Sequence, residues 1–208
     1  DYCLILISYT GELMKQRVVE LTEFGKAENV RLVEADIPSP ASGQIVVKNN
    51  AIGLNYLDTY FRSGLNPWPN EEKIKVLGSE GVGFVHSVGK DVKDFKEGDK
   101  VSYVTPVGAY AEYALINAAH AVQIKIKVND FDVVASTLKG LTTHYLLHLT
   151  FNLKPGMTAL VHAAAGGVGQ LMGQWGSEIG ATMIGTVGGP EKAIAAKNAG
   201  YHHVIDYN

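Results

Sequence analysis

The sequence predicts an α/β chain in which a β-rich domain is followed by the first half of a doubly wound parallel sheet. Three observations predict it. From Met14 to about Ile126, short β-branched runs alternate with Gly, Pro, Asn and Asp punctuation and show little helical periodicity. Near Asp130 the pattern changes to helical spacing. Beyond Lys154-Pro155-Gly156 the order of runs reads βαβαβ, with a glycine-rich turn after the first strand. The chain is accordingly divided into an N-terminal extension at 1–13, a β-rich domain at 14–129 and a parallel-sheet domain at 130–208.

In the β-rich part the strand-like alternation starts at Met14, with Val18 and Val19 leading to Leu21 and Phe24. Further strands are expected at Gln44–Lys48, Val82–Val88, Lys100–Val104 and Tyr110–Ile116. One helix interrupts them, from Asn55 to Arg62: Asn55 can cap it, Leu57, Tyr60 and Phe61 recur at helical spacing, and Gly64 stops it. The second part opens on Asp130, Asp132 and Ser136 as candidate caps, and Leu138, Leu141, Tyr145 and Leu149 share one helical face. Ala159-Leu160-Val161 is the first parallel strand. Val168, Met172, Trp175 and Ile179 then keep helical spacing up to Gly180, Thr182–Gly188 forms the second strand, and a helix from Glu191 to Ala199 precedes Val204-Ile205.

Composition narrows the function classes. Of 208 residues, 46% are apolar and 19% charged, as in a globular chain rather than a disordered one. Eighteen Lys and Arg against 21 Asp and Glu leave a net charge of −3 and no basic stripe, so no nucleic-acid partner is expected. The single cysteine, Cys3, can form neither an internal disulfide nor a cysteine-rich zinc lobe, which points to a reducing, cytoplasmic setting. No run approaches the roughly 18 apolar residues of a membrane span. Tyr2–Tyr9 lacks the basic flank and cleavage site of a signal peptide. Met14-Lys15-Gln16-Arg17 reads as a natural start, with an added β-strand over 1–13 as the competing reading.

The chemistry is concentrated in Ala164-Ala165-Gly166-Gly167-Val168-Gly169, which fits G-x-G-x-x-G except for alanine at the first glycine. A small-residue turn between a buried strand and a helix brings backbone N–H groups onto a pyrophosphate that a side chain would obstruct. Its bland alternative is close helix–strand packing alone. About 20 residues further on, an acid would bind the ribose 2′-hydroxyl of NAD. Thr186-Val187-Gly188-Gly189 has none, so NADPH is favoured over NADH. Lys192 is near enough in sequence to face a 2′-phosphate, and Glu191 beside it would oppose the same anion.

From Met14 onward the chain resembles the zinc-independent quinone oxidoreductases of the medium-chain dehydrogenase/reductase superfamily, relatives of zeta-crystallin. The resemblance is carried by Ala51–Leu65, Gly78-Ser79-Glu80-Gly81-Val82-Gly83, Gly98-Asp99-Lys100-Val101, Leu138-Lys139-Gly140-Leu141-Thr142 and His162–Gly169. It implies a GroES-like domain followed by a Rossmann domain, with the active-site cleft between them, and an NADPH-dependent reduction of a quinone-like acceptor. Where zinc enzymes of the superfamily carry a histidine ligand, this chain has Ser79, beside Glu80, and no cysteine occupies the matching catalytic positions; no metal is expected. None of the seven histidines, the His202-His203 pair included, forms a zinc-ligand pattern.

The resemblance places Asn55, Tyr56, Asp58, Thr59 and Tyr60 near the nicotinamide, with Thr142 and Tyr145 from the helix that follows. Of these, Asn55, Tyr60 and Thr142 would serve catalysis by orientation, with Tyr60 a hydrogen-bond donor to the acceptor oxygen. Gly166, Gly167 and Val168 would meet the pyrophosphate, and Gly188, Lys192 and Tyr207 the 2′-phosphate. Read without the family, Tyr60 is an aromatic on a short helix's apolar face and Asn55 a helix cap. Two positions depart from the family pattern: Asn66 stands for a second pocket tyrosine, and Gly189 for a hydroxyl residue. The chain stops at Asn208, just past the third strand, so the reading expects a fragment without the nicotinamide half and the sheet edge through which homodimers form. The alternatives are an enone or enoyl reductase of the same superfamily, or a non-catalytic, crystallin-like NADPH-binding protein.

Overall fold

The computed structural model describes residues 14–69 and 74–208. Cys3 and the expected extension at 1–13 lie outside the described residues. The chain divides into two compact units between Lys125 and Ile126, a few residues before the boundary read from the sequence.

In the first unit, β1 (Lys15–Leu21) pairs antiparallel with β2 (Val30–Asp36). A five-stranded antiparallel sheet follows. Its strands are β3 (Gln44–Ile52), β4 (Glu80–Val88), β5 (Lys100–Val104), β6 (Tyr113–Asn117) and β7 (Ala121–Gln123), in the order β6-β3-β4-β5-β7. Ile45, Val47, Val85, Val101, Tyr103 and Ile116 form its core. The strand expected from Tyr110 begins only at Tyr113, because Tyr110 turns inward to a second cluster with Leu21, Phe61 and Leu77. β2 and β7 were not expected; the sequence of β2, Val-Arg-Leu-Val-Glu-Ala-Asp, is largely exposed and gives no strong period-2 signal. Helix α1 (Tyr56–Ser63) lies where the spacing predicts it, ended by Gly64 in the left-handed region at φ 80°.

The second unit begins with α2 (Asp130–His144). Its cap is Asn129, whose Oδ1 accepts the Phe131 N–H at 2.9 Å, rather than Asp130, Asp132 or Ser136. Ser136 instead bonds back to the carbonyl of Asp132. The expected apolar face is also corrected: Leu141, Tyr145 and Leu149 are exposed, while Val133, Val134, Thr143 and Leu147 are buried. A π-turn over Tyr145–Thr150 continues the helix, and Leu147 is its buried residue.

After it come β8 (Thr158–Val161), α3 (Gly167–Ile179), β9 (Thr182–Val187), α4 (Pro190–Asn198) and β10 (His203–Asp206). The strands form a parallel sheet in the order β10-β9-β8, the topology that the βαβαβ pattern predicts. Helix α3 turns Gly169, Gly173 and Gly176 to the interior, which lets its backbone close onto Ala164, Tyr201 and Met183. Among the described residues no helix is long and apolar enough to cross a membrane.

Candidate functional site

In the first unit the candidate residues are organised by Asp58. Its carboxylate accepts the Tyr110 hydroxyl at 2.6 Å and the Asn55 N–H at 2.8 Å, and Ser79 Oγ lies 3.0 Å from its other oxygen. Asp58 is therefore buried and turned into the protein. Burial, reinforced by the bond to Asp58, pushes the Tyr110 hydroxyl above the usual phenol range, so the phenol stays a donor to the carboxylate. Next to it Glu80 is fully buried, and its Oε1 accepts from Asn55 Nδ2 at 2.8 Å. Gly53 and Gly78 make this packing feasible: a Cβ on Gly53 would fall 2.5 Å from Glu80 Cδ, and one on Gly78, where φ is 96°, would collide with the Tyr110 ring.

On α1, Tyr56 and Tyr60 stack edge to face at 5.5 Å and are both exposed. Thr59 gives its hydroxyl to the carbonyl of Tyr56 at 2.6 Å. Ser79 also lies 3.0 Å from the carbonyl of Pro106. Among the described residues no group of three or more His, Cys, Asp or Glu is placed to hold a metal. The resemblance missed Tyr110, which reaches Asp58 across 52 positions; only the fold brings them together.

The second unit carries the glycine turn. Val161 leads through His162, whose Nδ1 is 2.9 Å from Thr186 Oγ1, into Ala163, which holds φ 52°. Gly166 N–H bonds to the carbonyl of Ala163 at 2.8 Å, so Gly166 closes the turn with its own amide. The N–H groups of Gly167, Val168 and Gly169 occupy the first helical positions, where the helix ladder offers them no acceptor. No acidic residue stands in this first turn, and a cavity of about 460 Å³ opens over it, walled by Leu160, His162, Gly167, Val168 and Met172. The arrangement fits an anionic diphosphate. Gly169 supports it from below: a Cβ there would meet the Ala163 carbonyl and lie 2.8 Å from Ala164 Cα. The methylenes of Lys139 lie over Gly167, a neighbour the sequence reading did not single out.

The remaining candidates are placed as follows. Thr142 gives its hydroxyl to the carbonyl of Leu138 at 2.9 Å, and Tyr145 is exposed at the end of α2. Gly188 follows β9 directly, with the Tyr207 ring so close that a Cβ on Gly188 would fall 3.0 Å from it. Lys192 is exposed on α4. Gly189 holds φ 116° and ψ 158°, a conformation open to glycine rather than to a hydroxyl residue. His202 accepts the Met183 N–H at 3.1 Å, which gives it a structural role at the sheet.

Residues 41–126 match the alcohol dehydrogenase GroES-like domain. The quinone oxidoreductase of Pseudomonas aeruginosa is 42% identical over 191 residues, covering 91% of this chain and 58% of that protein. The 2-haloacrylate reductase of a Burkholderia species is 40% identical over 188 residues, covering 88% of this chain and 56% of that protein. Among solved structures, the quinone oxidoreductase of Escherichia coli complexed with NADPH matches with a TM-score of 0.84 at 41% identity, over 92% of this chain and 58% of that one. The chain thus spans under three-fifths of the length of these relatives. With a match to the alcohol dehydrogenase GroES-like domain over residues 41–126 and a parallel-sheet unit that opens on a glycine turn, the chain is similar over 91% of its length to the quinone oxidoreductase of Pseudomonas aeruginosa.

Proposed function

We propose that the protein is an NADPH-dependent reductase that passes a hydride to a quinone-like acceptor without zinc. One observation carries the reading: the N–H groups of Gly167, Val168 and Gly169 open onto a cavity at the end of β8, in a parallel sheet, with no acidic residue beside them. The relative that is complexed with NADPH supports the choice of cofactor. The cofactor supplies the redox chemistry when bound; the protein supplies orientation and charge.

In this reading Gly167 and Val168 hold the pyrophosphate, with Gly166 shaping the turn. Gly188, Lys192 and Tyr207 receive the adenosine 2′-phosphate. Asn55, Tyr60 and Thr142 orient the nicotinamide and the acceptor, helped by Tyr56, Thr59 and Tyr145. Asp58 acts at one remove, as a positioning residue that fixes Asn55 and the start of α1. Tyr60 keeps an exposed hydroxyl for an acceptor oxygen, whereas the hydroxyl protons of Thr59 and Thr142 are committed to backbone carbonyls. Ser79 and Glu80 are engaged with Asp58, Pro106 and Asn55, which supports a zinc-free site.

The test is NADPH oxidation by the whole protein. Turnover with a benzoquinone, undiminished by a zinc chelator and absent with a simple alcohol, is expected; activity confined to an alcohol with added zinc would overturn the proposal. The 2-haloacrylate reductase among the relatives favours a second acceptor class, an activated carbon–carbon double bond. Faster turnover on an α,β-unsaturated acid or ketone than on the quinone would select it. NADPH binding with no oxidation by either acceptor would select a binding protein instead.

A further inference from the structure

We infer that Asp206, on the third parallel strand, sets how the site weighs a 2′-phosphate against a 2′-hydroxyl, and so weakens the preference for NADPH over NADH; the inference rests on the dinucleotide reading above. In a dinucleotide fold the ribose 2′ substituent lies at the carboxyl end of the second strand, where an acid marks a site for the hydroxyl. Here β9 ends at Val187, Gly188 and Gly189 follow, and no acid stands at that strand end before Glu191 on the next helix.

The neighbouring strand supplies one. β10 lies parallel to β9 with Asp206 opposite Val187. The Asp206 carboxylate reaches across to accept the Gly189 N–H at 2.8 Å and also accepts the Asn208 N–H at 3.2 Å. Its position in sequence conceals it, because a search just past the second strand stops well before residue 206.

Two consequences follow for an anion at this strand end. The Gly189 amide, a ready backbone donor, is already occupied by a carboxylate. The charges of the local sequence also change balance: Glu191 and Lys192 alone offset each other, and Asp206 adds a negative charge, with all three side chains exposed. A phosphate monoester brings about −1.5 to −2 charges of its own and is repelled. A ribose 2′-hydroxyl can donate a hydrogen bond to the same carboxylate and is not.

The experiment compares adenosine 2′,5′-bisphosphate with 5′-AMP, which differ only in the 2′-phosphate, by calorimetric titration of the wild-type chain and of Asp206→Asn. The substitution keeps an oxygen acceptor for Gly189 and removes the charge, and thermal melting checks that the fold is retained. The ratio of affinities, bisphosphate over AMP, is expected to rise about tenfold in Asp206→Asn at low salt, the size of one unit charge a few ångströms away in a partly hydrated site. The gain should shrink at high salt. Binding of both nucleotides with an unchanged ratio would overturn the role of Asp206 and leave the cofactor reading standing. Binding of neither nucleotide to either protein would overturn the dinucleotide reading, and this inference with it.

Discussion

The polar network beneath α1 and the glycine turn at β8 are built in opposite ways. The first assembles side chains distant in sequence: Asp58 meets Ser79 and Tyr110, and Asn55 meets Glu80. The second is contiguous backbone, from Ala163 to Gly169, and its decisive property is the near absence of side chains. A network of this kind is sensitive to the loss of an atom, since each buried donor then lacks its acceptor. The turn is sensitive to the gain of one where backbone faces it, since a Cβ on Gly169 has nowhere to go. The contrast therefore predicts which substitutions harm each region.

Asp58→Ala should have the largest effect. It leaves the Tyr110 hydroxyl and the Asn55 N–H without their acceptor, a loss of about 3–4 kcal/mol for buried polar groups. Denaturant unfolding of the first unit measures it, and a loss below about 1 kcal/mol would show that the network is looser than its geometry. Gly169→Ala comes next, at about 2–3 kcal/mol, because the added carbon meets the backbone of Ala163 and Ala164, which cannot swing aside. NADPH binding, followed by cofactor fluorescence, should be lost with it. Gly167→Ala in the same turn is the control: its Cβ meets only Lys139 methylenes at 2.8 and 3.0 Å, which can move, so the cost should stay under about 1 kcal/mol. Equal losses at the two glycines would break the distinction between backbone and side-chain crowding.

The same contrast explains what could be read from the sequence. The turn, its strand and its helix are local, so spacing and glycine content carried them, as they carried the Gly180 stop and the parallel order. Asn55 was legible as a helix cap and Asp58 only through the resemblance; the reason Asp58 faces inward, Tyr110, lies on another element. Asp206 escaped for the same cause, since it acts on Gly189 from the adjacent strand. The face of Leu141, Tyr145 and Leu149 was misjudged because apolar spacing marks a stripe without saying which side the fold covers, and in α2 the buried residues are Val133, Val134 and Thr143.

Tyr201 carries the comparison to its finest scale, because it is a side chain that supports the backbone turn. Its hydroxyl donates to the carbonyl of Gly169 at 2.7 Å, and its ring packs beside Gly173 and Gly185. Burial raises its pKa from 10 to about 12, which makes the bond a source of alkaline sensitivity. The folded state holds the proton more tightly than the unfolded one. The contribution is therefore complete below pH 10 and is lost as the pH rises toward 12, when the unfolded chain ionises first. Tyr201→Phe removes the titration together with the bond. Because the Gly169 carbonyl keeps its place in the helix ladder, the loss at neutral pH should be only about 1 kcal/mol. Between pH 10 and 12 the variant should lose less stability than the wild type, so the gap between their unfolding curves narrows. A gap that stays constant across this range would mean that the Tyr201 proton is not held by the fold, and that the turn rests on glycine packing alone.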